Sequence, residues 1–354
     1  MEMSSRDTAA GVIVGSAFGD ALGAGYEFEI TRLPTEGPCQ MIGGGLGNFA
    51  PGEWTDDTSM ATALVDAAAD FGTKIATRPG LNHIATGFAR WYATGPADVG
   101  THTRLVLSAV MGGYRNGDTD TIAAAMSAAA SRRPPRAPQQ VSNGAVMRTA
   151  PAVVPWIGTD DPADMAACGA AAGRIAALTH AEATAMMSTA AWSGLLLLAA
   201  AGHDSAPTSA QMKDAMVTAA AGSAHDQRRN PAFGTDTLTA ITWYATGERI
   251  EPWVQQWSNS SALGCIRDAL AAVYPHWLAD PTGQEPDRFF AAVDAAVKCG
   301  GDADTVAAVA GGLAGAIWGL DAIPDQDILH GYPGWTVADL TTRSDRAAGH
   351  SPAR

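Results

Sequence analysis

The stretch Ala9-Ala10-Gly11-Val12-Ile13-Val14-Gly15-Ser16-Ala17-Phe18-Gly19-Asp20-Ala21-Leu22-Gly23 places a glycine at every fourth residue from Gly11, and Gly311, Gly315 and Gly319 repeat that spacing near the other end of the chain. Residues four apart share one face of an α-helix. A glycine in a helix interior costs about 1 kcal/mol relative to alanine, so a whole face of them makes sense where a second backbone must come close. The reading is two helices near the centre of the molecule, tightly packed, with each other as candidate partners. Simple abundance is the competing explanation, because the chain holds 39 glycines.

Outward from these helices, apolar residues recur at three- and four-residue spacing over 57–71, 81–93, 102–115, 119–130, 161–179, 182–201, 208–221, 235–246, 259–274 and 287–299. With 9–23 and 303–319 they leave little room for a sheet, and the fold class expected is all-α. Prolines and glycines stop helices from continuing through 31–52 and 132–140. No break in composition isolates a second unit, so 1–343 reads as a single domain and 344–354 as a polar, frayed tail.

Apolar residues make up 47% of the 354-residue chain without a long uninterrupted apolar run. Lys plus Arg number 22 and Asp plus Glu 36, a formal charge of −14 that repels phosphate backbones and makes nucleic acid a poor partner. An anionic ligand still binds where cations or helix N-termini reverse the local field. Cys39, Cys168, Cys265 and Cys299 show no CxxC spacing and read as reduced core thiols. The apolar run from Ala9 to Phe18 lacks the flanks of a signal peptide, and Ala190 to Gly202 falls short of the roughly 20 residues of a spanning helix. A cytoplasmic protein without a membrane segment is expected.

Two short segments concentrate oxygen donors where a loop turns into a helix: Gly52-Glu53-Trp54-Thr55-Asp56-Asp57-Thr58 and Gly300-Gly301-Asp302-Ala303-Asp304-Thr305. Either alone is explained by N-capping, in which Asp or Thr accepts from free N–H groups of the first turn. Together they supply more acceptors than two helix ends use. Surplus carboxylates and hydroxyls without nearby His or Cys suit Mg²⁺ or Mn²⁺. If Asp56, Asp57, Asp302 and Asp304 meet Glu27, the five charges cannot all stay ionised in a partly buried place unless cations offset them. Spacing alone reaches only a helical, metal-dependent hydrolase, with phosphatase and pyrophosphatase chemistry both open.

The motifs in order are Gly15-Ser16-Ala17-Phe18-Gly19-Asp20-Ala21-Leu22-Gly23 with Glu27-Phe28, then Trp54-Thr55-Asp56-Asp57-Thr58-Ser59-Met60. Asp98-Val99-Gly100-Thr101-His102-Thr103-Arg104, Ser142-Asn143-Gly144-Ala145-Val146-Met147-Arg148-Thr149-Ala150-Pro151, Thr179-His180 and Gly301-Asp302-Ala303-Asp304-Thr305 follow. In this order they resemble the ADP-ribosylglycohydrolase family over most of the chain. The resemblance implies a compact, orthogonal multi-helix globule with a dinuclear Mg²⁺ or Mn²⁺ centre at the bottom of a cleft. It further implies metal ligation by Thr55, Asp56 and Asp57 from one side, by Asp302, Asp304 and Thr305 from the other, and by Glu27.

Asp98 and Glu27, with Asp56, are the catalytic candidates that the resemblance suggests, for glycosidic displacement through an oxocarbenium-like state. A helix-capping role before Val99-Gly100 is the plainer reading of Asp98. Gly100 and Thr101 are read as substrate contacts. Ser142, Asn143 and Gly144, with Met147 close behind, match the loop near the pyrophosphate, where the alternative is a small turn. His180 corresponds to a histidine toward the diphosphate and adenosine, and Phe233 to an adenine-stacking ring, against structural and core readings respectively. Ser142 stands where the family often has the first glycine of Gly-Asn-Gly, which bears on substrate orientation. The stretch 31–52 is a candidate lid.

The resemblance makes an ADP-ribosylated protein the expected substrate, ADP-ribose the product and arginine the leading acceptor. O-linked serine, O-acetyl-ADP-ribose, a modified nucleobase or another small molecule are alternatives. A non-catalytic ADP-ribose binder, like the jellyfish lens crystallins that resemble this family, belongs to another class.

Overall fold

The computed structural model describes residues 4–132, 141–223 and 234–349. Among them the first helices are α1 (Ser5–Gly23), α2 (Asp56–Phe71), α3 (Arg78–Ala93), α4 (Thr101–Arg115), α5 (Ile122–Ser131), α6 (Pro162–Ala176) and α7 (Ala183–Ala200). They continue as α8 (Ser209–Ser223), α9 (Thr235–Thr246), the single turn α10 (Pro252–Gln255), α11 (Ala262–Ala279), α12 (Arg288–Val297), α13 (Ala303–Trp318) and α14 (Val337–Ala348). The only sheet among the described residues pairs β1 (His330–Gly331) with β2 (Trp335–Thr336), antiparallel. The all-α expectation holds.

α1 and α13 form the antiparallel centre, as the glycine spacing predicts. A Cβ on Gly11 would lie 2.5 Å from the Gly315 carbonyl oxygen, and one on Gly15, Gly19 or Gly23 would come under 3.0 Å from backbone of residues 311, 307 and 304. The stripes therefore exist because two backbones touch, and every residue of α13 is buried. α12, α11 and α14 pack around this pair, α6, α7 and α8 form a mutually packed group, and α3 lies against α2, α4 and α5.

Helix α7 meets the length and hydropathy of a membrane span, but 78% of its apolar window is buried inside the fold. Cys39, Cys168 and Cys265 are buried free thiols, as expected, whereas Cys299 is exposed just beyond α12. Several boundaries differ from the sequence reading, two of them with a clear packing cause. α11 continues past Pro275 to Ala279, because the missing N–H is offset by burial of Trp277, only 1% exposed. The tail expected from residue 344 is helical to Ala348: Ser344 and Ala347 are buried, and Arg346 bonds Asp70 on α2 at 2.6 Å.

Candidate metal centre and substrate cleft

The N-terminus of α2 is satisfied by residues other than its own acidic pair. Asp20, fully buried on α1, accepts the Thr55 amide at 3.0 Å and the Thr58 amide at 2.9 Å. The Thr55 hydroxyl accepts the Asp57 amide at 3.4 Å. Asp56 and Asp57 are thereby released from capping, and Asp57 Oδ2 is buried with no hydrogen-bond partner. A carboxylate oxygen in that condition calls for a cation or a proton.

At the other end, Gly300 and Gly301 turn the chain at φ 67° and 64°, a region that side chains other than glycine rarely adopt. Asp302 then occupies the N-cap position of α13 without making a cap bond. Its carboxylate instead accepts Asn143 Nδ2 at 3.1 Å, while its amide donates to Asn259 Oδ1 at 3.2 Å. The Phe28 amide donates to the Gly301 carbonyl at 2.6 Å, which ties Glu27 to this turn. One oxygen from each of Glu27, Asp302 and Asp304 lies within 4.8 Å of the others. The Thr305 hydroxyl donates to Asp57 Oδ1 at 3.4 Å and joins the two clusters.

Glu27, Asp56, Asp57, Asp302, Asp304 and Thr305 line one cavity of about 390 Å³. Burial, followed by the charges of Asp302, Asp98 and Asp56, pushes Glu27 up to about 8. Burial, then Asp98 and Asp20, pushes Asp56 up to about 7. Asp57 and Asp304 are driven well above the usual carboxylate range, first by burial and then by their acidic neighbours. Asp302, Asp98 and Asp20 are raised by burial as well. An all-oxygen donor set with an orphaned buried carboxylate oxygen fits hard divalent cations.

Asp98, Gly100, Thr101, Ser142, Asn143, Gly144 and Met147 face the same cavity. Asp98 does not cap α4, whose N-cap is Gly100, and the Gly100 amide points to Asp56 Oδ2 at 3.4 Å. Thr55 lines an adjoining cavity instead, its hydroxyl engaged as the α2 cap. His180 is placed otherwise than expected. It is 1% exposed and absent from the cavity wall, with Nδ1 against the Thr179 hydroxyl at 2.8 Å and Nε2 against the Ser142 hydroxyl at 2.9 Å. Both ring nitrogens are engaged and the ring stacks on His102, so it supports the 142–144 loop from behind. A Cβ at Gly144 would come 3.0 Å from that ring, which is why glycine stands there. Phe233 lies outside the described residues.

Sequence reading overlooked Asp20, Asn259 and Arg148. Arg148 is 1% exposed, donates to the Gly144 carbonyl at 2.5 Å and the Thr179 hydroxyl at 2.7 Å, and lies over the Phe88 ring. Burial pushes its guanidinium down to about 9 against the opposing pull of Asp56 and Asp57. Its place in Met147-Arg148-Thr149 was a usable signal, since a charged residue in an apolar run needs buried partners.

The profile of the ADP-ribosylglycohydrolase family matches residues 1–350. The chain belongs to that family. With membership come the all-α fold and hydrolase chemistry at an ADP-ribosyl glycosidic bond. An ADP-ribosyl-dinitrogen reductase glycohydrolase of Rhodospirillum rubrum is 29% identical over 329 residues, covering 91% of this chain and 89% of that one. An ADP-ribosylarginine hydrolase of Pseudomonas putida is 27% identical over 340 residues, 90% of this chain and 73% of the relative. Among solved structures, an ADP-ribosylglycohydrolase-related protein complex superposes with a TM-score of 0.64 at 27% identity, covering 98% and 99% of the two chains.

Proposed function

We propose that this ADP-ribosylglycohydrolase family member removes ADP-ribose from arginine on a protein, by hydrolysis of the N-glycosidic bond at a site for two Mg²⁺ or Mn²⁺ ions. The observation that carries the reading is the convergence of the acidic ends of α2 and α13, with Glu27, on a cavity that also holds the 142–144 loop and the N-terminus of α4. The arginine acceptor is favoured by the ADP-ribosylarginine hydrolase of P. putida and a second such enzyme of Serratia proteamaculans, 27% identical over 342 residues.

Glu27, Asp56, Asp57, Asp302, Asp304 and Thr305 would hold the pair of cations. Bound there, they supply Lewis acidity and a fixed attachment for ribose hydroxyls. Ser142, Asn143 and Gly144 and the first turn of α4, with Thr101, face the diphosphate, which a helix N-terminus attracts. Asp98 and Glu27 stabilise the positive charge that develops at the anomeric carbon. Water oxygen bonds to that carbon as its bond to the guanidino nitrogen breaks, and the proton released leaves with the guanidine as guanidinium. Free thiols at Cys39, Cys168 and Cys265 agree with a reducing compartment such as the cytoplasm.

The test is hydrolysis of ADP-ribosylated arginine, serine and O-acetyl substrates by the Mn²⁺- or Mg²⁺-loaded protein. Arginine should be released fastest, and EDTA should abolish turnover until metal is restored. Binding of ADP-ribose with no hydrolysis of any adduct would leave a crystallin-like binder instead.

A further inference from the structure

A second cavity, of about 270 Å³, meets the first at Asp56 and Asp98, which line both. We propose that this second cavity is the acceptor pocket and that it selects a planar cation, the guanidinium of the arginine leaving group, with Glu53 as a specificity-determining residue. The inference rests on the ADP-ribosyl-hydrolase reading, because it divides the substrate at the bond that the enzyme breaks.

The two cavities differ in what they offer. The first has the 142–144 loop and the start of α4, groups suited to phosphate. The second carries Glu53, Asp56 and Asp98 and no Lys, Arg or His in its wall. Among the described residues none of these three carboxylates forms an ion pair. Glu53 adds to this wall a carboxylate outside the proposed metal site, and an organic cation would be drawn to it. Phe49 and Tyr332, both partly exposed, line the same wall with the buried Trp54 and Trp91 beside them, and a flat, weakly hydrated guanidinium is the cation best matched to rings and carboxylates together.

Ser59, only 6% exposed, lines this cavity too, and a serine hydroxyl can accept a ligand N–H.

Glu53 is held for the task. Its Oε2 accepts the Ala50 amide at 2.8 Å, and the Trp54 amide next to it donates to the His330 carbonyl at 3.1 Å, so the C-terminal hairpin anchors the segment. Oε1 makes no such bond among the described residues. A serine hydroxyl leaving group presents no charge to this wall, so a neutral acceptor gains little from it.

The test uses the metal-loaded full chain, with agmatine as a guanidinium probe. Agmatine should inhibit hydrolysis of ADP-ribosylarginine competitively. Glu53→Gln, which keeps an oxygen for the Ala50 amide, should raise the KM for that substrate with kcat little changed. Selectivity for arginine over serine adducts should fall about tenfold or more, the scale of one charge-assisted hydrogen bond. Phe49→Ala should shift selectivity the same way. Unchanged selectivity and agmatine affinity in both variants would overturn the proposal. Calorimetric titration of agmatine separates the two readings: binding that weakens in Glu53→Gln supports the pocket even if no ADP-ribosyl adduct is hydrolysed.

Discussion

The N-termini of α2 and α13 present similar sequences to the same cavity and solve the problem of a helix end differently. At α2 the orphan amides are taken by Asp20, a buried side chain projecting from α1, and by the Thr55 hydroxyl. At α13 the turn is held by neutral amides, Asn143 on the Asp302 carboxylate and Asn259 on its backbone. One end is braced by a charge, the other by dipoles. At α2 Asp20 and Thr55 take the amides and leave Asp56 and Asp57 to the cavity, whereas at α13 Asp304 Oδ1 accepts the Thr305 amide at 2.9 Å and Asp302 makes no cap bond.

If the two ends share one field, the metal-free protein should show it most strongly through pH. Glu27 and Asp56 are raised to about 8 and about 7 from 4.5 and 3.8. Groups raised in the fold contribute stability that is complete below their unfolded values and is lost as pH rises through their folded ones. Thermal unfolding after EDTA treatment should therefore show a loss on the order of a few kcal/mol between pH 4 and pH 8. Saturating Mn²⁺ should flatten that slope, and a metal-free protein of constant stability over the range would mean that Glu27 and Asp56 do not sit in the buried, acidic surroundings described.

The difference between the two ends predicts a contrast between variants. Asp20→Ala leaves buried amides of Thr55 and Thr58 without their acceptor and should cost about 2–3 kcal/mol in denaturant unfolding. Asn143→Ala removes a neutral support of Asp302 and should lower metal affinity about tenfold, read by Mn²⁺ titration, with a smaller effect on stability. Reversal of that pattern would exchange the roles assigned to charge and dipole.

Asp20 is also the clearest case of what the sequence hides. It sits in the quoted Gly-Asp-Ala-Leu-Gly motif, yet its partners Thr55 and Thr58 lie 35 and 38 residues away. Nothing in the local pattern distinguishes it from a solvated helix charge. The converse error is the end of α14, where a polar tail is expected from residue 344. It is helical because Leu340, Ser344 and Ala347 fall on one buried face, and Arg343 both lies over Trp335 at 3.8 Å and bonds Asp66 at 2.7 Å. His180 carried a recognisable motif, but only packing shows that Nε2 is turned to Ser142 of the loop and Nδ1 to the Thr179 hydroxyl.

The chain by itself determined the helices, the glycine faces that demand a close partner, and the two groups of surplus oxygens, because helical period and donor chemistry are properties of short segments. Tertiary structure decided that Asp57 and Thr305, 248 residues apart, touch. It also decided which groups cap the helix ends, and that Asp56 and Asp98 stand between two cavities of different character. Those outcomes depend on burial and on the summed field of distant charges, which arise only once the helices have packed.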